Sequence, residues 1–390
     1  MQISSAIEQL FPDMCQWRHH IHQYPELAYQ ELKTSEYIRD VLQSFGLEVH
    51  CGLGQTGIVA TLKNGGSPSK IGLRADIDAL AIHEKNDLSY RSKHDGVMHA
   101  CGHDGHTAML LGTAKYLAAK KNFNGTVYFI FQPAEEGQGG AKQMIEDGLF
   151  DLFPADSVFA MHNFHDLPIG HFAIKPGPMM ASSDMFEIKI TGRGSHAAMP
   201  HLGRDPIVAL SQIILSLQTI VSRSIDPADS VVVSVTSVHA GSTWNAIPND
   251  AVLRGTFRCF DPNVRALIKQ RIEQAVNAHG QVCDVQTGVE FNPGNPGYPV
   301  TINDAEATAT AMQVAIDLVG SDKVNTAPAP SMGAEDFSFM LQEKPGCYLW
   351  IGNGSAENGC MLHNPNYNFN DNILTTGAAY WVRLVEAVLA

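Results

Sequence analysis

The first half of the chain alternates short, continuously apolar runs with amphipathic helical patterns. Helices are predicted before Pro25, over about 31–45 and over 106–121, where apolar residues recur on one stripe. Apolar strands are predicted at 58–62, 71–73, 127–131 and 158–161. Strands that are apolar throughout are typically buried on both faces. The pattern therefore predicts an α/β fold with a mostly parallel central sheet covered by helices.

A second pattern begins near Asp184. Its predicted elements are a strand at 185–190, a helix at 206–223, strands at 231–238 and 252–260, a helix at 263–279 and a strand at 283–291. The order β-α-β-β-α-β is that of a ferredoxin-like α+β unit. Gly- and Pro-rich joints flank it, so we predict a first domain of residues 1–183 and 294–390, interrupted by an inserted domain of residues 184–293.

Composition and charge restrict the class of protein. The 390 residues are 44% hydrophobic and 17% charged, which is typical of a folded soluble chain with a substantial core. The net charge of -14 argues against nucleic acid and anionic membrane surfaces as partners. No signal-like start and no run of ~18 apolar residues is seen, so no membrane span is expected.

The seven cysteines are an odd number without framework spacing. This usage predicts a reducing, cytoplasmic setting. Most of them, Cys360 included, are expected to be small buried hydrophobes. Cys101 is the exception because of its neighbours.

Polar residues capable of chemistry follow several of the predicted strands. Asp76 and Asp78 come after the strand at 71–73, Glu135-Glu136 after 127–131, and His162 after 158–161. His363 lies in the loop after a further predicted strand at 347–351. Ligand sites of parallel sheets lie beyond the carboxyl ends of the strands, so these residues are predicted to converge.

The candidate donors suit a metal site. Cys101, His103, Glu136, His162 and His363 would supply thiolate, imidazole and carboxylate, a set that borderline transition metals prefer. Five ligands exceed the four of a closed structural zinc site and suit two ions with open positions, as in a hydrolase. His106 lies about one helical turn from His103 and is its rival as a ligand; we favour His103.

Each of these signals also has an ordinary structural interpretation. Adjacent carboxylates often mark a solvated loop, a histidine after an apolar run is often a core residue, and His363 could be a turn residue. In an extended segment, however, Glu135 and Glu136 would point in opposite directions. One could then bind metal while the other takes a proton from water.

Seven ordered motifs carry a resemblance to a known family, from Trp17 to the carboxyl terminus. They are Arg18-His19-His20-Ile21-His22 with Pro25-Glu26-Leu27, Arg74-Ala75-Asp76-Ile77-Asp78-Ala79-Leu80, His99-Ala100-Cys101-Gly102-His103-Asp104-Gly105-His106, Gln132-Pro133-Ala134-Glu135-Glu136-Gly137, Gly194-Ser195-His196-Ala197, Gly333-Ala334-Glu335-Asp336-Phe337 and Leu362-His363-Asn364-Pro365. The chain resembles the aminoacylase, hippurate hydrolase and auxin-conjugate hydrolase branch of the dinuclear metallopeptidases. One departure is Tyr367 and Asn370-Asp371-Asn372, where an aromatic and acidic pair is usual.

The resemblance implies roles for several residues. It implies Glu135 as general base and, as metal ligands, Cys101, His103, Glu136, His162 and His363. It further implies a catalytic domain with an inserted dimerisation domain, whose His196 stabilises the oxyanion in a neighbouring subunit. Asn245 and Arg258 would hold the substrate carboxylate. Asp76 and Asp78 would support the ligands from the second layer.

The expected activity is hydrolysis of the amide bond of N-acyl-L-amino acids, hippurate-like or N-acetylated, to a carboxylic acid and a free amino acid. Two divalent ions per subunit are expected, with Zn²⁺ favoured by the thiolate and Mn²⁺, Co²⁺ or Ni²⁺ left open. The expected partners are the small substrate and further copies of the chain, as a homodimer or higher homo-oligomer. A dipeptidase or carboxypeptidase, an N-acetyl-diaminopimelate deacetylase and a non-catalytic metal or ligand binder are the alternatives.

Overall fold

The computed structural model describes residues 3–355 and 361–390, so the prediction for Cys360 lies outside the described residues. The helices are α1 (Ser5–Glu8), α2 (Phe11–Gln23), α3 (Leu32–Ser44), α4 (His103–Lys120), α5 (Gly140–Glu146), α6 (Leu149–Leu152), α7 (Pro206–Thr219), α8 (Pro262–Val282), α9 (Ala305–Val319), α10 (Phe337–Glu343) and α11 (Leu374–Val388). The strands are β1 (Glu48–Leu53), β2 (Gly57–Asn64), β3 (Lys70–Asp76), β4 (Gly125–Gln132), β5 (Ser157–His165), β6 (Phe172–Ala173), β7 (Gly177–Met180), β8 (Asp184–Thr191), β9 (Ser195–His196), β10 (Val231–Ala240), β11 (Ala246–Ile247), β12 (Asp250–Cys259), β13 (Gln286–Phe291), β14 (Thr301–Asn303), β15 (Val324–Asn325) and β16 (Gly346–Gly354).

The described chain divides into two compact units. The first comprises Met1–Met179, Thr301–Ala329 and Asp336–Ala390, and the second comprises Met180–Val300 and Pro330–Glu335. Each unit has its own hydrophobic core.

The first unit is built on an eight-stranded sheet with the order β1-β2-β4-β3-β5-β16-β6-β15. The central pairs β4-β3, β3-β5 and β5-β16 are parallel. Strand β4 is buried along its whole length, and α2, α4 and α11 pack together over the sheet. The predicted α/β class with a mostly parallel central sheet is confirmed. The sequence did not predict β1, an edge strand whose residues are largely exposed and therefore lack a continuous apolar run.

The longer elements of the second unit have the order β8-α7-β10-β12-α8-β13 along the chain, with the two-residue strands β9 and β11 between them. Its four-stranded sheet, β10-β12-β8-β13, is antiparallel at every pairing, which is the ferredoxin-like arrangement. Helix α7 buries Ala209, Leu210, Ile213 and Leu217. The last strand begins at Gln286 rather than at the predicted 283, because α8 continues to Val282 and Cys283 is its C-cap.

One described helical segment, Pro206–Ser224, is long and apolar enough by length and composition to cross a membrane. Core helices of soluble proteins meet the same criterion, and the buried face of α7 belongs to the core of the second unit. Only 28% of the 18-residue apolar window within this segment is buried.

Candidate metal centre

The predicted donors of the first unit come from adjacent parts of its sheet. Asp76 ends β3 and lies opposite Gln132, the last residue of β4, from which the chain continues to Glu135-Glu136. His162 lies within β5, which extends to His165 and does not end before His162 as predicted. Parallel strands thus bring the Asp76, Glu135 and His162 segments to one region of the sheet.

The Cys101-Gly102-His103 segment leads directly into a helix. Helix α4 begins at His103, three residues before the predicted start, and its N-cap Gly102 is left-handed with φ 102°. A Cβ atom at position 102 would lie 2.1 Å from Asn163 Oδ1 and 2.6 Å from the Tyr367 hydroxyl. Glycine is therefore required here for both conformation and space, and it lets the chain turn between the two donors.

The expectation of an extended Glu135-Glu136 segment is wrong. The two glutamates lie in a turn that follows Ala134, whose φ is 54°, and the Gly137 amide donates to the Glu135 carbonyl at 2.7 Å. Their side chains therefore take their directions from the turn, not from strand alternation. A carboxylate oxygen of each lies within 4.8 Å of a ring nitrogen of His103.

The five candidate ligands lie close together. Cys101 Sγ is 3.4 Å from His162 Nε2, and Glu136 Oε1 is 3.2 Å from His363 Nε2 and 3.9 Å from His103 Nε2. Single ligand atoms of Cys101, Glu136 and His363 all lie within 4.8 Å of one another. The His363 side chain is 52% exposed, whereas Cys101, His103 and His162 are buried. One side of the cluster is therefore open to solvent.

His363 also has a left-handed backbone, with φ 62°. Its amide donates to the Ala100 carbonyl at 2.7 Å, next to Cys101. This hydrogen bond joins His363, a candidate ligand, to the segment that carries the candidate ligands Cys101 and His103.

The environment of the His103 ring shows whether this cluster fits a metal ion. His103 Nδ1 lies 2.8 Å from the Asp78 carbonyl and 3.2 Å from Asp78 Oδ1, both acceptors, so Nδ1 carries the proton. Nε2, the nitrogen whose lone pair would face a cation, is buried and has no hydrogen-bond partner among the described residues. Buried polar atoms without partners are rare, and a cation at Nε2 would satisfy this one. The donor set therefore fits a borderline transition metal.

The electrostatics also favour bound cations. Burial raises the pKa of the Cys101 thiol well above its usual range, and the nearby Glu136 and Glu135 raise it further. Burial lowers the pKa of His103, but Asp76 and Asp78 outweigh it and raise that pKa to about 10, so a cation that binds at Nε2 takes the place of a proton there. Burial, followed by the neighbouring His106, holds the pKa of His162 well below its usual range, so this imidazole is neutral, as a ligand must be.

His106, the rival ligand, is already engaged on both ring nitrogens. Its Nδ1 lies 2.6 Å from Asp76 Oδ1, and its Nε2 accepts from the Asn163 amide at 3.0 Å. No lone pair remains for a cation in this arrangement. Asn163 is a site residue that the sequence did not reveal; only its position after His162 could have indicated it.

A buried arginine arranges the strand ends beneath the cluster. Arg74 donates to Asp76 Oδ2 at 2.8 Å, to Gln132 Oε1 at 2.7 Å and to Asp336 Oδ1 at 3.1 Å. Asp78 accepts from the Glu136 amide at 2.9 Å. Asp76 and Asp78 thus contact the histidines and the turn, while Asp336, left without a role by the sequence, joins β3 to β4.

Arg18 and His22 of α2 contact the first turn of α4. His22 Nδ1 lies 2.9 Å from Asp104 Oδ2 and His22 Nε2 lies 3.2 Å from Glu84 Oε1. Arg18 Nη1 donates to the same Asp104 oxygen at 3.2 Å. All four side chains are buried, and Asp104 follows His103 directly. The sequence showed the Arg18 to His22 motif, but it did not predict that this motif contacts Asp104.

The remaining predicted site residues belong to the second unit. His196 is exposed on β9 and pairs with Ala246 of β11, and the Ala197 amide donates to the Asn245 carbonyl at 2.9 Å. His196 and Asn245 are therefore neighbours. Arg258 lies on β12, where Nη1 donates to the Phe257 carbonyl at 3.0 Å and to the Thr256 hydroxyl.

Known proteins are similar to this chain over most of its length. The sequence model of Peptidase family M20/M25/M40 matches residues 72–387. A hippurate hydrolase of Campylobacter jejuni is 45% identical over 370 residues, which cover 94% of this chain and 94% of that protein. An N-acetyl-L-cysteine deacetylase of Bacillus subtilis is 39% identical over 374 residues, covering 95% of this chain and 87% of that protein.

A solved structure agrees with these relatives. A dinuclear metal binding peptidase from the M20 family of Bacillus subtilis superimposes with a TM-score of 0.83 at 35% sequence identity. The match covers 98% of this chain and 99% of that structure.

Proposed function

This chain belongs to Peptidase family M20/M25/M40, and we propose that it hydrolyses the amide bond of N-acyl-L-amino acids to a carboxylic acid and a free amino acid. Family membership confirms the resemblance that the motifs indicated and the class of enzyme, a hydrolase acting on amide bonds. The observation that carries the proposal is the convergence of sulfur, nitrogen and oxygen donors next to Glu135. Relatives named for hippurate and N-acetyl-L-cysteine support N-acyl amino acids as the substrate class.

Cys101, His103, Glu136, His162 and His363 would hold two divalent ions. When bound, such ions lower the pKa of a water molecule and polarise the carbonyl oxygen of the scissile amide. The thiolate of Cys101 favours Zn²⁺ over Mg²⁺, while Mn²⁺, Co²⁺ and Ni²⁺ accept the same donors.

The residues of the chain then carry the proton transfers and the binding. Glu135 accepts a proton from the attacking water and passes it to the leaving nitrogen as the carbon–nitrogen bond breaks. His196 donates a hydrogen bond to the oxyanion that develops on the acyl carbon. Arg258, with Asn245, binds the α-carboxylate of the substrate, because its planar guanidinium matches the two carboxylate oxygens.

The proposal includes a homodimer that forms through the second unit. In support, β10 is an edge strand of its sheet, and edge strands invite pairing with another chain. Helix α7 also exposes apolar side chains, with Ile207 40%, Val208 48% and Leu215 70% accessible. A second copy covering this face would explain why an apolar helix is so little buried. His196 would then act in the site of the neighbouring subunit.

A substrate panel with varied metal tests the proposal. The metal-free protein is loaded with Zn²⁺, Mn²⁺, Co²⁺ or Ni²⁺ and assayed with N-benzoylglycine, N-acetyl-amino acids, N-acetyl-diaminopimelate and dipeptides. We expect the N-benzoyl or N-acetyl-amino acids to give the highest kcat/KM. Faster turnover of dipeptides would make the protein a dipeptidase, and N-acetyl-diaminopimelate as the best substrate would make it that deacetylase. Tight metal binding with no hydrolysis would favour a binding protein.

The role of Arg258 is tested with matched acids and methyl esters. Esterification removes the negative charge without changing the scissile amide, so kcat/KM should fall by about 10- to 100-fold. Equal rates on the acid and the ester would show that Arg258 does not bind the substrate carboxylate.

A further inference from the structure

The turn that carries Glu135 is conformationally unfavourable. Ala134 has φ 54°, in the left-handed region that a residue with a Cβ atom rarely adopts. Such a conformation persists only when surrounding contacts hold it. The Gly140 amide donates to the Ala134 carbonyl at 3.0 Å and closes the turn on one side.

Two buried carboxylates hold the backbone on either side of Glu135. Glu31 Oε1 accepts from the Ala134 amide at 2.9 Å, and Asp78 Oδ2 accepts from the Glu136 amide at 2.9 Å. The amides immediately before and after Glu135 are therefore both fixed by side chains remote in sequence. The direction of the Glu135 side chain depends on this stretch of backbone.

The surroundings of Glu31 disfavour its ionised carboxylate. Its side chain is fully buried, and its other oxygen accepts from the Thr56 hydroxyl at 2.7 Å. Burial, together with the nearby Asp78, raises the pKa of Glu31 to about 7. A carboxylate whose ionisation is made this difficult does not gain stability from its charge. Its contribution is the hydrogen bond that it accepts.

Capping of α3 does not explain why a glutamate is buried at position 31. Glu31 is the N-cap residue of α3, but its side chain makes no capping hydrogen bond. Glu26 meets that need instead, because its Oε2 accepts from the Thr34 amide at 2.9 Å and from the Thr34 hydroxyl at 3.0 Å. The two glutamates thus offer a matched comparison: Glu26 serves the helix and Glu31 serves the turn.

We propose that Glu31 is a positioning residue for the general base, which acts by holding the Ala134 amide and so fixes the direction of Glu135. The proposal rests on the hydrolytic function proposed above. Glu31 contacts no metal ligand side chain in the described structure, and Asp78 still holds the Glu136 amide when Glu31 is lost, so the loss acts on Ala134 and Glu135 rather than on the donor set. The expected signature is a fall in kcat with KM and metal content retained.

The experiment compares Glu31→Leu, Glu31→Gln and the control Glu26→Gln in the metal-loaded protein. Glu31→Leu removes the acceptor, and we expect kcat to fall by about 10- to 100-fold, since small displacements of a catalytic group have effects of that size. KM should stay within about twofold. Glu31→Gln keeps an oxygen for the Ala134 amide and should retain most of the wild-type kcat. Glu26→Gln should match the wild type.

Hydrogen exchange gives a readout that needs no substrate. In the wild type the Ala134 amide should be protected, and in Glu31→Leu the peptide covering 133–140 should exchange about tenfold faster, with no change in Glu26→Gln. If Glu31→Leu does not fold, the wild-type measurement decides, because a rapidly exchanging Ala134 amide would overturn the proposal. Wild-type kcat in a folded Glu31→Leu, or equal losses in Leu and Gln variants, would also overturn it. A wild type that hydrolyses no N-acyl amino acid refutes the proposed function, while exchange still reports whether Glu31 holds the turn.

Discussion

Cys101 Sγ lies 3.4 Å from His162 Nε2, although one residue precedes the first turn of α4 and the other lies within β5. Both side chains are buried. A thiol and a neutral imidazole facing each other at this distance contribute little to stability as a pair. As two donors to one ion they would explain each other's position.

Replacing Cys101 should therefore lower metal affinity. In Cys101→Ser a hydroxyl replaces the thiolate, and we expect the affinity for Zn²⁺ to fall by more than about tenfold, because hydroxyl oxygen is a much weaker zinc ligand. Metal content after dialysis measures the effect. Cys51→Ser is the matched control, since Cys51 is exposed on β1 and belongs to no donor group found among the described residues. Equal metal content in the two variants would remove Cys101 from the ligand set.

Glu135→Gln should separate chemistry from metal binding. The amide cannot accept the proton of the attacking water, so kcat should fall by about 100-fold or more. The donors Cys101, His103, Glu136, His162 and His363 are unchanged, so both ions should remain bound. Parallel assays of turnover and metal content make the test. A Glu135→Gln variant that turns over near the wild-type rate would show that another residue is the general base.

Gly102→Ala should damage the site through the backbone. A Cβ at Gly102, whose φ is 102°, would meet Asn163 Oδ1 at 2.1 Å, so either the α4 start or Asn163 must move. We expect a loss of about 1–2 kcal/mol in unfolding free energy from conformation alone, and weaker metal binding. Gly288→Ala is the control, because no atom lies within 4 Å of a Cβ there and its φ is ordinary. Unchanged metal affinity in Gly102→Ala would contradict the assigned geometry.

The sequence predicted which strand ends meet but not how the chain turns between them. Apolar runs located β3, β4 and β5, and the topology of a parallel sheet then placed Asp76, the glutamates and His162 together. The left-handed conformation of Ala134 has no local signal, because alanine does not favour it. Its cause is tertiary: the carboxylates of Glu31 and Asp78 accept the neighbouring amides.

The limits of the donor prediction have a similar origin. Thiol, imidazole and carboxylate groups could be proposed as ligands because their chemistry is visible in the sequence. The contacts that orient them were not, since Asp78 beneath His103 and Asp104 beside His22 depend on packing between separate elements. The sequence favoured His103 over His106 as a ligand, and the hydrogen bonds of the two rings now distinguish them.

His22 should make stability depend on pH. Burial lowers the pKa of His22, but its hydrogen bonds with Asp104 and Glu84 outweigh burial and raise the pKa to about 9. A group whose pKa is higher in the folded state than its usual 6.5 stabilises fully below pH 6.5, and this contribution is lost as pH rises through 9.

The His22 contribution is measured as the difference in unfolding free energy between the wild type and His22→Gln. We expect on the order of 2–3 kcal/mol near pH 6, shrinking toward pH 10. Metal-dependent terms common to both proteins cancel in this difference. His201→Gln, at an exposed histidine of the second unit, should show no such trend. A difference that stays constant from pH 6 to 10 would show that the role of His22 is packing rather than charge.

Mixing two inactive variants tests whether His196 acts in the neighbouring subunit. His196→Ala should lose the hydrogen bond to the oxyanion and about 100-fold in kcat, and Glu135→Gln loses the base. In a mixed dimer, one site would combine Glu135 of one chain with His196 of the other and be intact, while the second site would lack both groups. Random exchange gives half mixed dimers, so about one quarter of the wild-type activity should return.

The recovery should appear only under conditions that allow subunit exchange. Activity that stays at the level of the separate variants, although mixed dimers are demonstrated by mass, would place His196 in the site of its own chain. Mixing Glu135→Gln with Cys101→Ser is the control, because both changes affect the first unit. If each chain carries its own base and ligands, every mixed dimer then keeps one damaged group in each site, and no recovery is expected. Recovery with His196→Ala but not with Cys101→Ser would therefore identify the residue that crosses between subunits.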